Sequence, residues 1–156
     1  MQEKQKMIDR KRIPENILPL LDKKLAGRSD EIDFPPPVFD AMQGEVIAYD
    51  LQNNSLSTRF PVLNEQLNPY GCMQGGIIAA AIDNTIGPLS LLVSPPNFTR
   101  QMEVKYSKVV SKDLAYIYIT ARFIKKHKRQ LFFEAIVENS DQEKLASAKS
   151  RHWLID

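Results

Sequence analysis

A chain of 156 residues falls in the size range of one compact domain and can bury roughly two-thirds of its unfolded surface. With 43% hydrophobic and 26% charged residues, its composition excludes a disordered or fibrous chain. Lys and Arg number 21 against 19 Asp and Glu, and a formal charge of +2 is too small to imply nucleic-acid binding by bulk electrostatics, so any anion site must be local.

The segment Met1 to Lys6 has no apolar core of the kind a secretory signal needs, and the single Cys72 has no intramolecular disulfide partner. A cytoplasmic location is expected. No uninterrupted run of about 18 apolar residues occurs, so no membrane association is expected either.

The stretch from Ile13 reads as a short amphipathic helix, with Pro14 or Pro19 in its first turn and Gly27 past its end. Phe34-Pro35-Pro36-Pro37-Val38-Phe39 reads as an extended polyproline segment across the surface, with its phenylalanines as anchors. Residues 1–40 are therefore assigned to an N-terminal arm, and 41–156 to the main domain. From Gly44 to Val62 two alternating strands flank turn residues Leu51 to Ser55, which predicts a hairpin.

Gln74 to Val93 is apolar on nearly every side and too long for a strand, so it predicts a helix enclosed by the fold and kinked or ended at Gly87-Pro88. Past Pro95-Pro96-Asn97 the period becomes two: Met102, Val104 and Tyr106 alternate with Gln101, Glu103 and Lys105. Further strands are expected around Leu114 to Ile124, Leu131 to Glu138 and Leu145 to Ile155. The connections are short, which predicts antiparallel neighbours. The fold class is α+β: a long central helix wrapped by an antiparallel sheet of about five to six strands, plus the helical and Pro-rich arm.

Between Glu65 and Arg100, leaving aside Cys72 and Tyr70, the sole ionisable side chain is Asp83. A carboxylate midway along an apolar helix must be paired, hydrogen-bonded or shifted in pKa, because burying it unsatisfied costs several kcal/mol. A local hydrogen bond to backbone is the plain alternative. Upstream, the turn-rich loop Asn68 to Gly76 runs into the helix start, where unpaired N–H groups and the helix dipole favour negative charge. Gly75 and Gly76 would let a thioester carbonyl approach those amides closely, although packing of the helix start against the sheet would also select glycine.

Asp83 follows Gly75 by eight residues, which at 1.5 Å rise per residue separates them by roughly 12 Å along one helix. One reacting carbon cannot touch both. If they share a site, Asp83 of one chain meets the helix start of a second, in a twofold dimer with two composite sites.

The segment Asn-Pro-Tyr-Gly-Cys-Met-Gln-Gly-Gly-Ile-Ile-Ala-Ala-Ala-Ile-Asp-Asn, from Asn68 to Asn84, resembles the signature of the phenylacetic-acid-type branch of hotdog-fold acyl-CoA thioesterases. That branch carries Asn, Gly, His-Gly-Gly and then Asp eight residues after the first glycine of the pair. Thr99 to Tyr106 resembles the first strand after the family's helix, and the similarity extends loosely to about Leu154, leaving residues 1 to about 40 uncovered. The resemblance implies a hotdog fold, hydrolysis of an acyl- or aryl-CoA without metal or cofactor, and a homodimer, with a homotetramer of two dimers as the larger assembly.

It further implies that Asp83 activates water or attacks the thioester itself, while the Gly75 amide polarises the carbonyl. Asn68 would help place nucleophile or substrate, and Thr99 matches a hydroxyl near the nucleophilic water. Gln74 stands where histidine is usual; it can donate a hydrogen bond but cannot carry a proton. Asn84 follows Asp83 directly and could face the opposite side of the helix, with a structural hydrogen bond and a catalytic or substrate-binding one equally open.

Lys125, Lys126, Lys128 and Arg129, around His127, form the one dense basic run. It reads as a solvated hairpin tip or as a contact for the phosphates of coenzyme A, with Lys105, Lys108 and Arg151 as alternatives. Phe34, Phe39, Phe60 and Tyr70 are candidates to line an acyl tunnel. Cys72 as nucleophile lacks a nearby histidine, since His127 and His152 come late in the chain. No metal-ligand spacing, phosphate loop or Gly-x-Ser-x-Gly elbow is present. A non-catalytic acyl-CoA binding module on the same fold is the competing reading; a dehydratase would want a histidine beside the acid, and the motif region has none.

Overall fold

A computed structural model describes residues 12–25 and 34–155; the charged N-terminus and the expected helix-ending Gly27 lie outside the described residues. The first helix, α1, is Leu18–Leu25, with Pro19 in its first turn and Lys23 and Lys24 in its last, where they meet the negative end of the helix dipole. It begins later than Ile13 because Pro14 only sets up the turn, its carbonyl accepting from the Ile17 and Leu18 amides at 2.9 and 3.3 Å.

The Pro-rich segment departs from the expected surface polyproline. Pro36 is extended, but Pro37 opens a short helix, α2, at Pro37–Ala41, because a missing N–H costs nothing in a first turn. Phe34 and Phe39 are buried in the main core together with Ile13, Ile17 and Leu21.

Strands β1 (Glu45–Asp50) and β2 (Ser55–Pro61) form the expected hairpin. The Asp50 carboxylate organises its turn by accepting from the Gln52 and Asn53 amides at 2.9 and 3.1 Å. Helix α3, Gly75–Val93, then packs on β2 and on the later strands. It has the length and apolarity of a membrane span, yet Ile78, Ala81, Ile82, Ile86 and Leu89 are buried inside this fold. The helix runs on through Pro88 instead of ending there, with the Ser90 hydroxyl bonded to the Gly87 carbonyl at 2.7 Å. Pro88 itself has no N–H to offer the Asn84 carbonyl.

The remaining strands are β3 (Asn97–Tyr106), β4 (Tyr116–His127), β5 (Gln130–Glu138) and β6 (Lys144–Leu154), completing a six-stranded antiparallel sheet of order β1-β2-β4-β5-β6-β3. Consecutive strands pair except β2 with β3 and β3 with β4. The segment 107–115 between them leaves the ladder to brace the loop before α3, with a Cys72–Ser111 bridge and the Met73 amide donating to the Val110 carbonyl at 2.8 Å. β3 thereby becomes an edge strand beside β6.

Core-facing positions alternate as a half-buried sheet requires: Ile117, Ile119 and Ala121 on β4, Leu131, Phe133, Ala135 and Val137 on β5, Ala146, Ala148, Ser150 and His152 on β6. One polar pair beneath the helix is satisfied, Thr58 Oγ1 lying 2.7 Å from Thr85 Oγ1, which in turn donates to the Ala81 carbonyl at 2.9 Å.

Candidate functional site

The loop entering α3 is shaped by Asn68. Its Oδ1 accepts from the Tyr70 and Cys72 amides at 2.9 and 3.1 Å, and Gly71, at φ 75, makes a turn that an L side chain would strain. The Gln74 amide donates to the Gln66 carbonyl at 2.9 Å, and the Gln74 carbonyl accepts from Ile77 and Ile78. The next two amides, Gly75 and Gly76, have no backbone acceptor among the described residues, and the exposed Gln74 side chain does not cap them. Two N–H groups on the positive end of a 19-residue helix are thus without a protein acceptor among the described residues.

The two glycines differ in what surrounds them. The Tyr106 hydroxyl donates to the Gly75 carbonyl at 2.8 Å, and a Cβ at Gly75 would lie 3.2 Å from the Tyr106 ring. At Gly76 nothing stands within 4 Å of that position. Gly75 is explained by packing, whereas the space over Gly76 is open.

Two turns further along α3, Asp83 is half-buried and accepts at Oδ1 from the Thr99 hydroxyl at 2.8 Å. A β-bulge makes that contact possible. The pairing of β3 with β6 shifts between Thr99 and Gln101, so Arg100 is the extra residue and the inward set changes from Asn97 and Thr99 to Met102 and Val104. Thr99 Oγ1 is also 3.3 Å from His152 Nε2, and His152 Nδ1 is 2.8 Å from Asn97 Oδ1. The Asn97 amide nitrogen donates to the Pro95 carbonyl at 2.9 Å, which fixes which end of the amide faces the ring.

His152 is 2% exposed, with the Phe133 ring 4.9 Å away. Burial pushes its pKa below the ordinary 6.5, and the Asp83 charge acts in the opposite direction. Asp83, Asn84, Thr99, Asn97 and His152 border a cavity of about 260 Å³ whose apolar side includes Phe34, Leu91 and Phe98.

Of the sequence candidates, Asp83, Thr99 and Asn84 meet at this cavity; Asn68, Gln74, Gly75 and Gly76 are not among its walls within one chain. Asn84 borders the cavity instead of facing the far side of the helix, and its amide nitrogen donates to the Ala80 carbonyl at 2.9 Å. Phe34 is the one tunnel candidate in the cavity wall. Phe39 and Phe60 pack edge-to-face in the core at 5.4 Å, and Tyr70 is 90% exposed on the loop. The Cys72 thiol contacts the Tyr70 carbonyl at 4.0 Å.

The basic run straddles a hairpin tip, with Lys125 and Lys126 ending β4 and Lys128 and Arg129 turning into β5. Arg129 Nη2 donates to the Leu154 carbonyl at 3.0 Å, and Leu154 pairs with Asn97, so the tip shares the cavity's end of the sheet. Lys108 pairs with Glu143, and Arg151 donates to Gln101 Oε1 at 2.6 Å, so two of the three alternatives are engaged, while Lys105 is exposed on β3. The residues that sequence reasoning missed are His152 and Asn97. His152 occupies a core-facing position of β6, and an inward polar residue on an alternating strand was the available signal.

No protein-family model matches the sequence, and no curated protein matches it. Solved structures do match in fold. The Escherichia coli PaaI protein from the phenylacetic acid degradation operon aligns over 87% of this chain and 96% of its own at 14% identity and a TM-score of 0.73. A Streptococcus mutans protein bound to acetyl CoA aligns over 80% and 94% at 19% identity and 0.67. A hypothetical thioesterase with coenzyme A from Streptococcus pneumoniae aligns over 75% and 90% at 17% identity and 0.69. Mutants of a hypothetical thioesterase from the same organism, each aligning over 70% of this chain and 88% of its own with a TM-score of 0.65, replace an aspartate at position 52 (17% identity) or a threonine at position 68 (16%) by alanine. This chain has the hotdog fold that its family resemblance implied, built on the α+β arrangement that its helix and strand pattern predicted.

Proposed function

We propose that the protein is an acyl-CoA thioesterase in which Asp83 activates water for attack on the thioester carbon. The observation that carries this reading is the Thr99–Asp83 hydrogen bond of 2.8 Å at the cavity wall. It places a hydroxyl beside a carboxylate whose other oxygen, Oδ2, has no hydrogen-bond partner among the described residues. Thr99 follows Asp83 by 16 residues, the same separation as the aspartate and threonine replaced in the Streptococcus pneumoniae mutants. The coenzyme A and acetyl CoA bound to two neighbours of this fold support an acyl-CoA ligand.

In this reading water bound at Asp83 Oδ2 gives its proton to the carboxylate as its oxygen bonds to the carbonyl carbon. The carbonyl electrons move to oxygen, and the Gly75 and Gly76 amides stabilise that charge. Collapse of the intermediate breaks the C–S bond, and the thiolate takes the proton. Because Gly75 and Asp83 are roughly 12 Å apart along α3, the amides come from a second copy in a homodimer. The free edge of β3, which carries Thr99, offers the pairing surface for that copy.

A cavity of about 260 Å³ is below the roughly 300–1,000 Å³ of drug-sized ligand sites, which favours a short or single-ring acyl group. Lys125, Lys126 and Lys128 are then the phosphate contacts, while Arg129 mainly holds the hairpin to Leu154. Gln74 favours the second reading, an acyl-CoA binding module without turnover, because it cannot move a proton. His152 does not restore a dehydratase: it is buried and reaches the cavity only through Thr99.

A hydrolysis screen over short, medium, long and aromatic acyl-CoAs tests the proposal, with Asp83→Ala as the control. Turnover of one class by the native protein supports it. A flat panel with retained binding leaves the binding module.

A further inference from the structure

Beside the water-facing oxygen of Asp83 runs a line of four polar groups, Asp83, Thr99, His152 and Asn97, with one hydrogen fewer than its contacts need. The Asn97 amide nitrogen is committed to the Pro95 carbonyl, so Oδ1, which only accepts, faces His152 Nδ1 at 2.8 Å. Nδ1 must therefore carry a hydrogen. In a neutral imidazole Nε2 is then a bare lone pair, and it points at Thr99 Oγ1 from 3.3 Å. Thr99 has a single hydroxyl hydrogen, which goes to Asp83 Oδ1 at 2.8 Å. With Asp83 ionised and His152 neutral, Oγ1 and Nε2 oppose each other as two acceptors.

Either of two protonations removes that conflict with no heavy atom moved. A proton on Nε2 makes an imidazolium that donates to Oγ1, which continues to donate to Asp83. A proton on Asp83 Oδ1 lets the acid donate to Oγ1, and the Thr99 hydrogen turns to Nε2. We infer that Asp83, Thr99 and His152 share protons as one unit, in which His152 is a positioning residue whose Nε2 sets whether the Thr99 hydroxyl donates to Asp83 or away from it.

The consequence for the proposed hydrolysis rests on that reading, but the proton geometry does not. Once Asp83 has taken a proton from water, a carboxyl turned so that this proton lies on the oxygen facing Thr99 donates to Oγ1, the Thr99 hydrogen swings to His152, and the neutral imidazole accepts it. When the leaving thiolate takes the proton from the carboxyl, the Thr99 hydrogen swings back to the carboxylate. One proton enters from water and one leaves on sulfur, and no other group gains or loses charge. Protonated His152 blocks the swing, because Nε2 no longer accepts.

The neighbours of His152 allow little else to intervene. β3 presents Thr99 and Asn97, β5 presents the Phe133 ring and Leu131, and α3 presents Asp83, the one charge among the described residues that acts on the imidazole. Burial favours the neutral ring, so the accepting state of Nε2 is the resting one.

The test is nitrogen-15 NMR of the two histidines in the native chain, in Asp83→Asn and in Thr99→Val, with His127→Gln to assign the signals. The native protein should show the Nδ1–H tautomer of His152 at high pH and a titration midpoint that falls in both variants, as the imidazolium loses its charge partner or its acceptor. An Nε2–H tautomer, or a midpoint unchanged in both variants, overturns the inference; if the variants do not fold, the native tautomer alone decides it. A protein that passes these tests and hydrolyses no acyl-CoA keeps the proton unit and loses the thioesterase reading.

Discussion

Thr99 donates its hydroxyl hydrogen to Asp83 across 2.8 Å, and it does so because a bulge at Arg100 turns an edge-strand residue inward. Removing that donor from a charged acceptor costs about 1.5–3 kcal/mol. Thr99→Val should therefore lower kcat roughly ten- to a hundredfold with little change in KM, measured by thiol release from the best acyl-CoA. An unchanged kcat would mean that the bond does not serve the reaction.

The open space over Gly76 separates fold from function at the helix start. Since nothing lies within 4 Å of a Cβ there, Gly76→Ala should leave thermal stability intact while it obstructs the carbonyl and cuts turnover at least about tenfold. Retained activity in this variant would remove the amides of Gly75 and Gly76 from the mechanism.

Much of this was legible in the sequence, and the residues show why. Asp83 stood out as a lone carboxylate on an apolar helix, and the fixed rise of a helix made its distance from Gly75 readable before any coordinates. The strands declared themselves by alternation. The pairing of β3 with β6 did not, because no local pattern says that the 107–115 connection leaves the ladder. Counting back in twos from Met102 puts Arg100 inward and Thr99 outward; the bulge reverses this and has no sequence mark, so Thr99 was reached through resemblance alone. His152 was readable as the inward polar residue after Ala146, Ala148 and Ser150, but its distance in sequence from the motif hid its role.

Burial of His152 gives stability a pH dependence of definite sign. A histidine whose folded pKa is depressed binds fewer protons folded than unfolded, so its contribution is complete above the ordinary 6.5 and is lost as pH falls from there toward the folded value. Urea denaturation should show lower stability below 6.5 than above it, and His152→Phe should remove that component. A stability that rises on acidification through this window would contradict a neutral buried imidazole.

Packing beneath the arm is tested at Gly44. A Cβ there would lie 2.5 Å from the Phe60 ring and 2.9 Å from the Phe39 ring, both buried and held edge-to-face. Gly44→Ala should cost about 1–3 kcal/mol in urea denaturation, since neither ring has space to retreat. A neutral substitution would show that the aromatic pair is loosely held.

The most direct measurement compares native protein and Asp83→Asn on one acyl-CoA, following thiol release and, by calorimetry, binding of the ester. Asparagine keeps the size of the side chain and can still meet Thr99, but it cannot take a proton from water. The account predicts a fall in kcat of at least a thousandfold, roughly 4 kcal/mol, with Kd for the ester changed little. Turnover by Asp83→Asn at the native rate would contradict it.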